Sequence, residues 1–142
     1  MRTREARIAA LRNVPLLAGL SRDDLSRILS LGKEQEFRKG AIITKAGNQA
    51  RDFYLILEGE ARLTLPGRRS SDLMPGDYFG EMSVLDGGPR TATIQAITRV
   101  RALRIGRSQF LAMLDEFGSI GRKMLVEMSK RVRRAEGTGP TH

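Results

Sequence analysis

The chain has no cysteine and no tryptophan, and its one histidine is the last residue, His142. Without cysteine there is no disulfide framework, no thiolate-ligated zinc, no iron–sulfur cluster and no thiol nucleophile. A lone terminal imidazole excludes a multi-histidine metal site and leaves a serine nucleophile without a placed base. Carboxylates are present, but no spacing singles out a pair for general acid–base work. The expectation is therefore a protein that is not an enzyme, with no catalytic residues, no metal and no cofactor. No apolar run approaches the length of a membrane span, and the opening MRTREAR leads into no uninterrupted hydrophobic stretch of signal-peptide type. A soluble, cytoplasmic protein without a membrane span is expected.

Charge is plentiful but unevenly placed. Twenty-five Lys and Arg stand against 16 Asp and Glu, a formal charge of +9. Residues 1–40 carry nine basic and five acidic side chains and residues 118–142 carry six and two, while residues 41–117 are nearly balanced at ten against nine. A nucleic-acid module concentrates charge on its reading surface and interleaves aromatics there. Here aromatics are 5% of the chain and the excess charge lies on the terminal segments, so nucleic acid is not the expected partner.

At 142 residues the chain is the size of one domain, long enough to form a core without covalent staples. Ile8 and Leu11 share a stripe on a first helix that ends before Pro15. Ser21 followed by Asp24 resembles a capping box opening a second helix, on which Leu25, Ile28 and Leu29 recur at helical spacing, with Gly32 as the stop. The apolar VPLLAGL between them reads as a compact turn. From Gln35 to Ile105 the period falls to two: AIIT, FYLIL, ARLTL, ATIQAI and VRALRI are strand-like runs separated by glycine-containing turns. Many short strands with such punctuation indicate an antiparallel barrel or jelly roll. Helical spacing returns near Ser108, with Phe110, Leu111, Leu114 and Phe117 on one face. After Gly118 a second stripe runs through Ile120, Met124, Leu125, Met128 and Val132, and AEGTGPTH reads as a flexible tail.

One segment concentrates unusual choices, FGEMSVLDGGPRTAT from Phe79 to Thr93. Gly80 permits a backbone approach that a side chain would block, and Glu81 to Leu85 suffices for about one helical turn whose N–H groups point toward an anion. Pro89 sets the entry to the next strand and Arg90 stands immediately inside it, supplying a bidentate, charge-assisted donor. A glycine, a helix start, an arginine and a threonine hydroxyl together make a phosphate cradle.

In this combination the sequence resembles the cyclic nucleotide-binding domain family, shared by the catabolite activator protein, the regulatory subunits of cyclic-AMP-dependent kinase and cyclic-nucleotide-gated channels. The matching core is that family's phosphate-binding cassette, here Phe79-Gly80-Glu81, Leu85 and Pro89-Arg90-Thr91-Ala92-Thr93, with Gly40, Gly47, Gly59 and Gly76 at the family's turn positions. The resemblance spans nearly the whole chain. It implies an α+β, mainly β domain over residues 1–134: N-terminal helices in 1–32, an antiparallel β-roll in 33–106 and two C-terminal helices in 107–134, with 135–142 as the tail.

The ligand site that the resemblance implies comprises Phe79, Gly80, Glu81, Met82, Arg90, Thr91, Ala92 and Arg131. Arg90 would pair with the exocyclic phosphate oxygens and Glu81 would accept from the ribose 2′-OH, while backbone N–H groups of Gly80, Met82 and Thr91 complete the cradle. The Thr91 hydroxyl could meet the 2-amino group of a guanine, and Arg131 on the last helix could contact the base. Each has a plainer rival. Arg90 could be a surface strand cation, Glu81 an acid favoured at a helix start, Thr91 a β-former, and Arg131, with Lys130, Arg133 and Arg134, a basic helix end.

The implied function is a receptor for cyclic AMP or cyclic GMP, with a lean toward cyclic AMP, whose last helix shifts on binding and signals to an effector protein. The alternative is an interaction module that keeps the roll but no longer binds nucleotide effectively. No DNA-binding domain follows the last helix in this sequence, so the chain is expected to be a stand-alone sensor or a fragment of a longer protein.

Overall fold

The computed structural model describes residues 3–67 and 70–135. His142 and the tail expected beyond Ala135 lie outside the described residues, and Ala135 itself closes the last helix.

Helix α1 (Arg4–Arg12) starts at Thr3, whose hydroxyl accepts the Ala6 N–H at 3.1 Å. A short 3-10 turn at Pro15–Leu17 buries Leu16 and Leu17. Helix α2 (Arg22–Leu31) opens with the expected capping box: Ser21 Oγ accepts the Asp24 N–H at 3.1 Å and the Asp24 carboxylate accepts the Ser21 N–H at 3.0 Å. Gly32 ends that helix for a reason other than the one expected. Its backbone is extended and begins the first strand, and a Cβ there would stand 2.5 Å from the Arg104 carbonyl oxygen. Close approach of a strand, not a left-handed cap, calls for glycine at this position.

Eight strands follow among the described residues: β1 (Gly32–Phe37), β2 (Ile42–Thr44), β3 (Phe53–Glu58), β4 (Ala61–Thr64), β5 (Ser70–Leu73), β6 (Tyr78–Phe79), β7 (Thr93–Ala96) and β8 (Val100–Ile105). They form two antiparallel sheets, ordered β1-β8-β3-β6 and β2-β7-β4-β5. Helix α3 (Glu81–Asp86) interrupts the roll between β6 and β7, and α4 (Arg107–Glu116) and α5 (Gly118–Ala135) follow it. The fold is α+β, a β-roll flanked by helices at both ends of the chain.

Period two explains why FYLIL is apolar throughout. Phe53, Leu55 and Leu57 of β3 face the helices, in a core with Ile8, Leu25, Leu103, Ile105, Phe110 and Met113. Tyr54 and Ile56 face the roll interior with Phe79, Ile94, Val100 and Ala102. A strand buried on both faces has no polar side to alternate with. By contrast β1 (GKEQEF) and β5 (SSDL) carry no apolar alternation, and β6 is two residues long, so their sequences do not announce them. Backbone pairing with an established neighbour makes them strands, and Glu36 of β1 is held by Arg99 and Arg101 at 2.8 and 2.7 Å.

The expected stripe on α5 divides. Ile120 and Met124 are buried, whereas Leu125 and Val132 are 65% and 55% exposed. Met128 of that stripe is half-buried, and past it Arg131, Arg134 and Ala135 line a cavity, so the end of α5 leaves the core.

Candidate ligand-binding site

The cassette is built by a change of backbone hand. Gly80 sits at φ +91° and turns the chain from β6 into α3, and Gly87 at φ +73° closes α3, its N–H bonding the Ser83 carbonyl at 2.9 Å. Gly80 meets a second demand. A Cβ there would come within 2.5 Å of both the Arg90 guanidinium and the Asp52 carbonyl oxygen. Arg90 precedes β7 and does not lie inside it as the sequence reading placed it. Its backbone is held instead by the 47–48 turn, with Gly47 N–H donating to the Arg90 carbonyl at 2.8 Å and Arg90 N–H to the Asn48 carbonyl at 2.9 Å.

Arg90 is only 4% exposed, so the surface-cation reading fails. Its guanidinium donates to the backbone carbonyls of Gly80 at 3.2 Å and Asp52 at 2.5 Å. Among the described residues no carboxylate pairs with it, the Asp52 side chain going to Arg104 at 3.2 Å, and Arg90 Nε is buried with no hydrogen-bond partner. Burial pulls the guanidinium below its ordinary pKa, against the opposing influence of Tyr54, Asp52 and Glu81. A buried cation without a paired anion is costly; here two carbonyl dipoles hold it in place, and no described carboxylate is in direct contact with it.

Glu81, the first residue of α3, is also 4% exposed, and its Oε1 accepts from Arg131 of α5 at 2.7 Å. Arg131 lies 5.9 Å from the centroid of the Tyr78 ring. Burial first, and then the Glu81 charge, push the Tyr78 hydroxyl up to about 12, so it stays a neutral donor near pH 7. The carboxyl end of α3 is tied to α4, because Arg107 Nε donates to the Val84 carbonyl at 3.1 Å.

One cavity of about 590 Å³ brings together all eight expected residues, Phe79, Gly80, Glu81, Met82, Arg90, Thr91, Ala92 and Arg131. Phe79 is buried and stacked on Tyr54 with centroids 4.9 Å apart; Ala92 is buried; Met82 and Thr91 are exposed at the rim. The wall also contains Thr44, Leu63, Leu73, Tyr78 and Ile94, which the sequence reading did not assign to the site. They come from β2, β4, β5, β6 and β7, and only strand register shows which of their side chains share a face. A second cavity of the same volume opens between α5 and the Pro15–Leu17 turn, but no buried charged group lines it. Among the described residues no cluster of His, Asp and Glu could hold a metal ion, and no helix is long and apolar enough to cross a membrane.

A buried cation and a carboxylate beside an apolar wall suit a small ligand with a negative charge, a hydrogen-bond donor and an apolar body. The sequence model of the cyclic nucleotide-binding domain matches residues 34–117, from β1 to the end of α4. The chain belongs to the cyclic nucleotide-binding domain family.

Relatives of this domain lie within larger proteins. A cAMP-dependent protein kinase regulatory subunit from Colletotrichum orbiculare is 36% identical over 115 residues, which is 80% of this chain and 29% of that protein. The chain thus spans under a third of that curated relative. The solved structure of PKAR CBD2 with bound Sp-2Cl-cAMPS superposes with a TM-score of 0.80 at 26% identity, covering 97% of this chain and 94% of that one. The catabolite activator protein of Thermus thermophilus gives 0.77 at 29% identity, over 86% of this chain and 60% of that one.

Proposed function

We propose that this cyclic nucleotide-binding domain is a non-catalytic receptor for a 3′,5′-cyclic purine nucleotide, cyclic AMP before cyclic GMP, and that α5 conveys binding to an effector protein. The observation that carries the reading is Arg90: a buried guanidinium without a carboxylate partner among the described residues, its Nε unused, in the wall of a cavity large enough for a nucleotide. A cyclic phosphodiester brings the single negative charge that this cation lacks. Glu81 takes the ribose 2′-OH, because a carboxylate has acceptor sites to spare beyond the one that Arg131 uses. The N–H groups of Gly80, Met82 and Thr91 complete the phosphate cradle, the Thr91 hydroxyl is placed at the rim to meet a guanine amino group, and the base lies toward Leu63, Leu73 and Ile94.

Calorimetric titration with cyclic AMP and cyclic GMP, up to millimolar concentration, tests this directly. One site per chain is expected, with a rise in melting temperature that follows ligand concentration. No heat and no stabilisation with either nucleotide would sink the receptor reading and favour the interaction-module alternative.

Transmission rests on the Arg131–Glu81 contact. Past Met124 the side chains of α5 are largely exposed, so this pair, with Tyr78, is what ties the end of the helix to the cassette. Arg131 is about half exposed, which limits such a pair to roughly 0.5–1 kcal/mol. Amide exchange should therefore show Arg131→Ala losing two- to fivefold of its protection over residues 127–135 without ligand. In the unmodified chain, saturating nucleotide should raise protection over residues 119–135. If protection rises only over residues 79–93, α5 is not the switch.

A further inference from the structure

We propose that Thr44 is a base contact of this site, an inference that rests on the nucleotide-receptor reading. Among the described residues, the side-chain atoms buried without a hydrogen-bond partner are Arg7 Nε, Glu34 Oε1, Arg101 Nε, Arg90 Nε and Thr44 Oγ1. Arg7 Nε faces Glu34 Oε2 in an ion pair at 3.0 Å, so the carboxylate that carries Oε1 is already paired, and Arg101 is paired with Glu36 at 2.7 Å and Glu58 at 3.6 Å. Ion pairing thus accounts for three of them. The two that remain belong to residues in the wall of the same cavity. Arg90 is the anion-binding group; Thr44 is the other polar group that the fold desolvates and does not use.

A nearby threonine sets the contrast. Thr93, at the start of β7, has its hydroxyl occupied, accepting the Ala46 N–H at 3.0 Å. Thr44, on the neighbouring strand and 8% exposed, has no such partner. A valine would fill the same volume and suit a strand equally well, without the cost of burying a hydroxyl unpaired. Nothing in the packing of β2 therefore requires the oxygen.

Strand register places Thr44 where a base would lie. It pairs with Ile94 on β7, Ile94 with Leu63 on β4, and Leu63 with Ser71 on β5, so these four residues make one row across the sheet, all in the cavity wall. Directly paired residues point to the same face, one strand spacing of about 4.8 Å apart. Ile94 and Leu63 form an apolar bed, and Thr44 stands at its β2 edge. A planar base on that bed has its polar rim within one strand spacing of the hydroxyl. Rotation about the Cα–Cβ bond exchanges the hydroxyl with the methyl group and turns it toward the ligand. The hydroxyl can donate or accept, so it suits a ring nitrogen or an exocyclic group.

The test compares the full chain with Thr44→Val and Thr44→Ser, using cyclic AMP, cyclic GMP and the 1-deaza, 3-deaza, 7-deaza and 6-deamino analogues of cyclic AMP. Thr44→Val should weaken cyclic AMP binding about five- to tenfold, the size of one neutral hydrogen bond. Its ligand-free melting temperature should be unchanged or higher, because an unpaired buried hydroxyl has been removed. Thr44→Ser should stay within about twofold of the unmodified chain. For one of the four analogues, the one lacking the contacted atom, Thr44→Val and the unmodified chain should bind alike. Cyclic AMP affinity within twofold of normal in Thr44→Val overturns the assignment while leaving the receptor reading intact. So does a loss that persists unchanged across all four analogues, which would place the hydroxyl on ribose or phosphate, and so does a ligand-free melting temperature that falls. Failure of the unmodified chain to bind any of these nucleotides overturns the receptor reading, and this assignment with it.

Discussion

Arg90→Ala is expected to weaken cyclic-nucleotide binding by about 2–4 kcal/mol, some 30- to 1,000-fold, while changing the stability of the unliganded domain far less. The asymmetry follows from what the guanidinium does in each state. Without ligand it gives two hydrogen bonds to the carbonyls of Gly80 and Asp52 and carries an unpaired charge in a buried place. Truncation forfeits the bonds and relieves the charge, and the two effects oppose each other. With a phosphodiester bound, truncation strands an anion in a partly desolvated cavity, and nothing opposes that loss. The backbone of Arg90 stays tied to the 47–48 turn whatever its side chain. Arg90→Lys should fall between, since a point charge keeps the Coulomb attraction and loses the planar fork. Calorimetry paired with thermal melts separates the two quantities. Equal losses in affinity and stability, or an unchanged affinity, would remove Arg90 from its proposed role.

Gly80→Ala should be the most damaging single methyl group in the site. A left-handed backbone costs an alanine about 1–2 kcal/mol, and the added Cβ would stand 2.5 Å from both the Arg90 guanidinium and the Asp52 carbonyl oxygen. The chain can relieve that overlap only by moving the group that binds phosphate. Gly87→Ala is the matched control. Its φ of +73° carries the same kind of penalty, but nothing lies within 4 Å of its added Cβ. The expected result is a melting temperature lowered by a few degrees in Gly87→Ala with affinity kept within about threefold, and a drop on the order of 10 °C in Gly80→Ala with at least tenfold weaker binding. If the two variants behave alike, the contact with Arg90 is not what makes Gly80 necessary.

Much of the site was legible because its parts lie close together along the chain. Gly80, Glu81, Pro89 and Arg90 fall within one stretch of turn, short helix and strand entry, and each residue type answers a local demand. The same holds for the capping box of Ser21 and Asp24, and for the apolar run of β3, whose burial on both faces is written in its composition. Gly32 shows where local reasoning goes astray. A glycine after a helix suggests a left-handed cap, but the neighbour that requires it, Arg104, belongs to a strand far along the chain. The edge strand β1 was illegible for a related reason: its side chains are mostly polar, and its pairing with β8 makes it a strand.

By itself, then, the sequence determined the kind of domain, the helices, the turns and the apolar strands, because caps, turns and period-two alternation are settled by neighbours a few positions apart. Tertiary structure alone decided that Arg90 is buried with its Nε unpartnered, that Arg131 reaches Glu81 across 50 positions, and that Thr44, Ile94, Leu63 and Ser71 share one row. These facts depend on strand register and helix placement. A slip of one residue in β2 would turn Thr44 to the opposite face without altering any local preference, so only the packing of the whole roll selects the side chains that face the ligand.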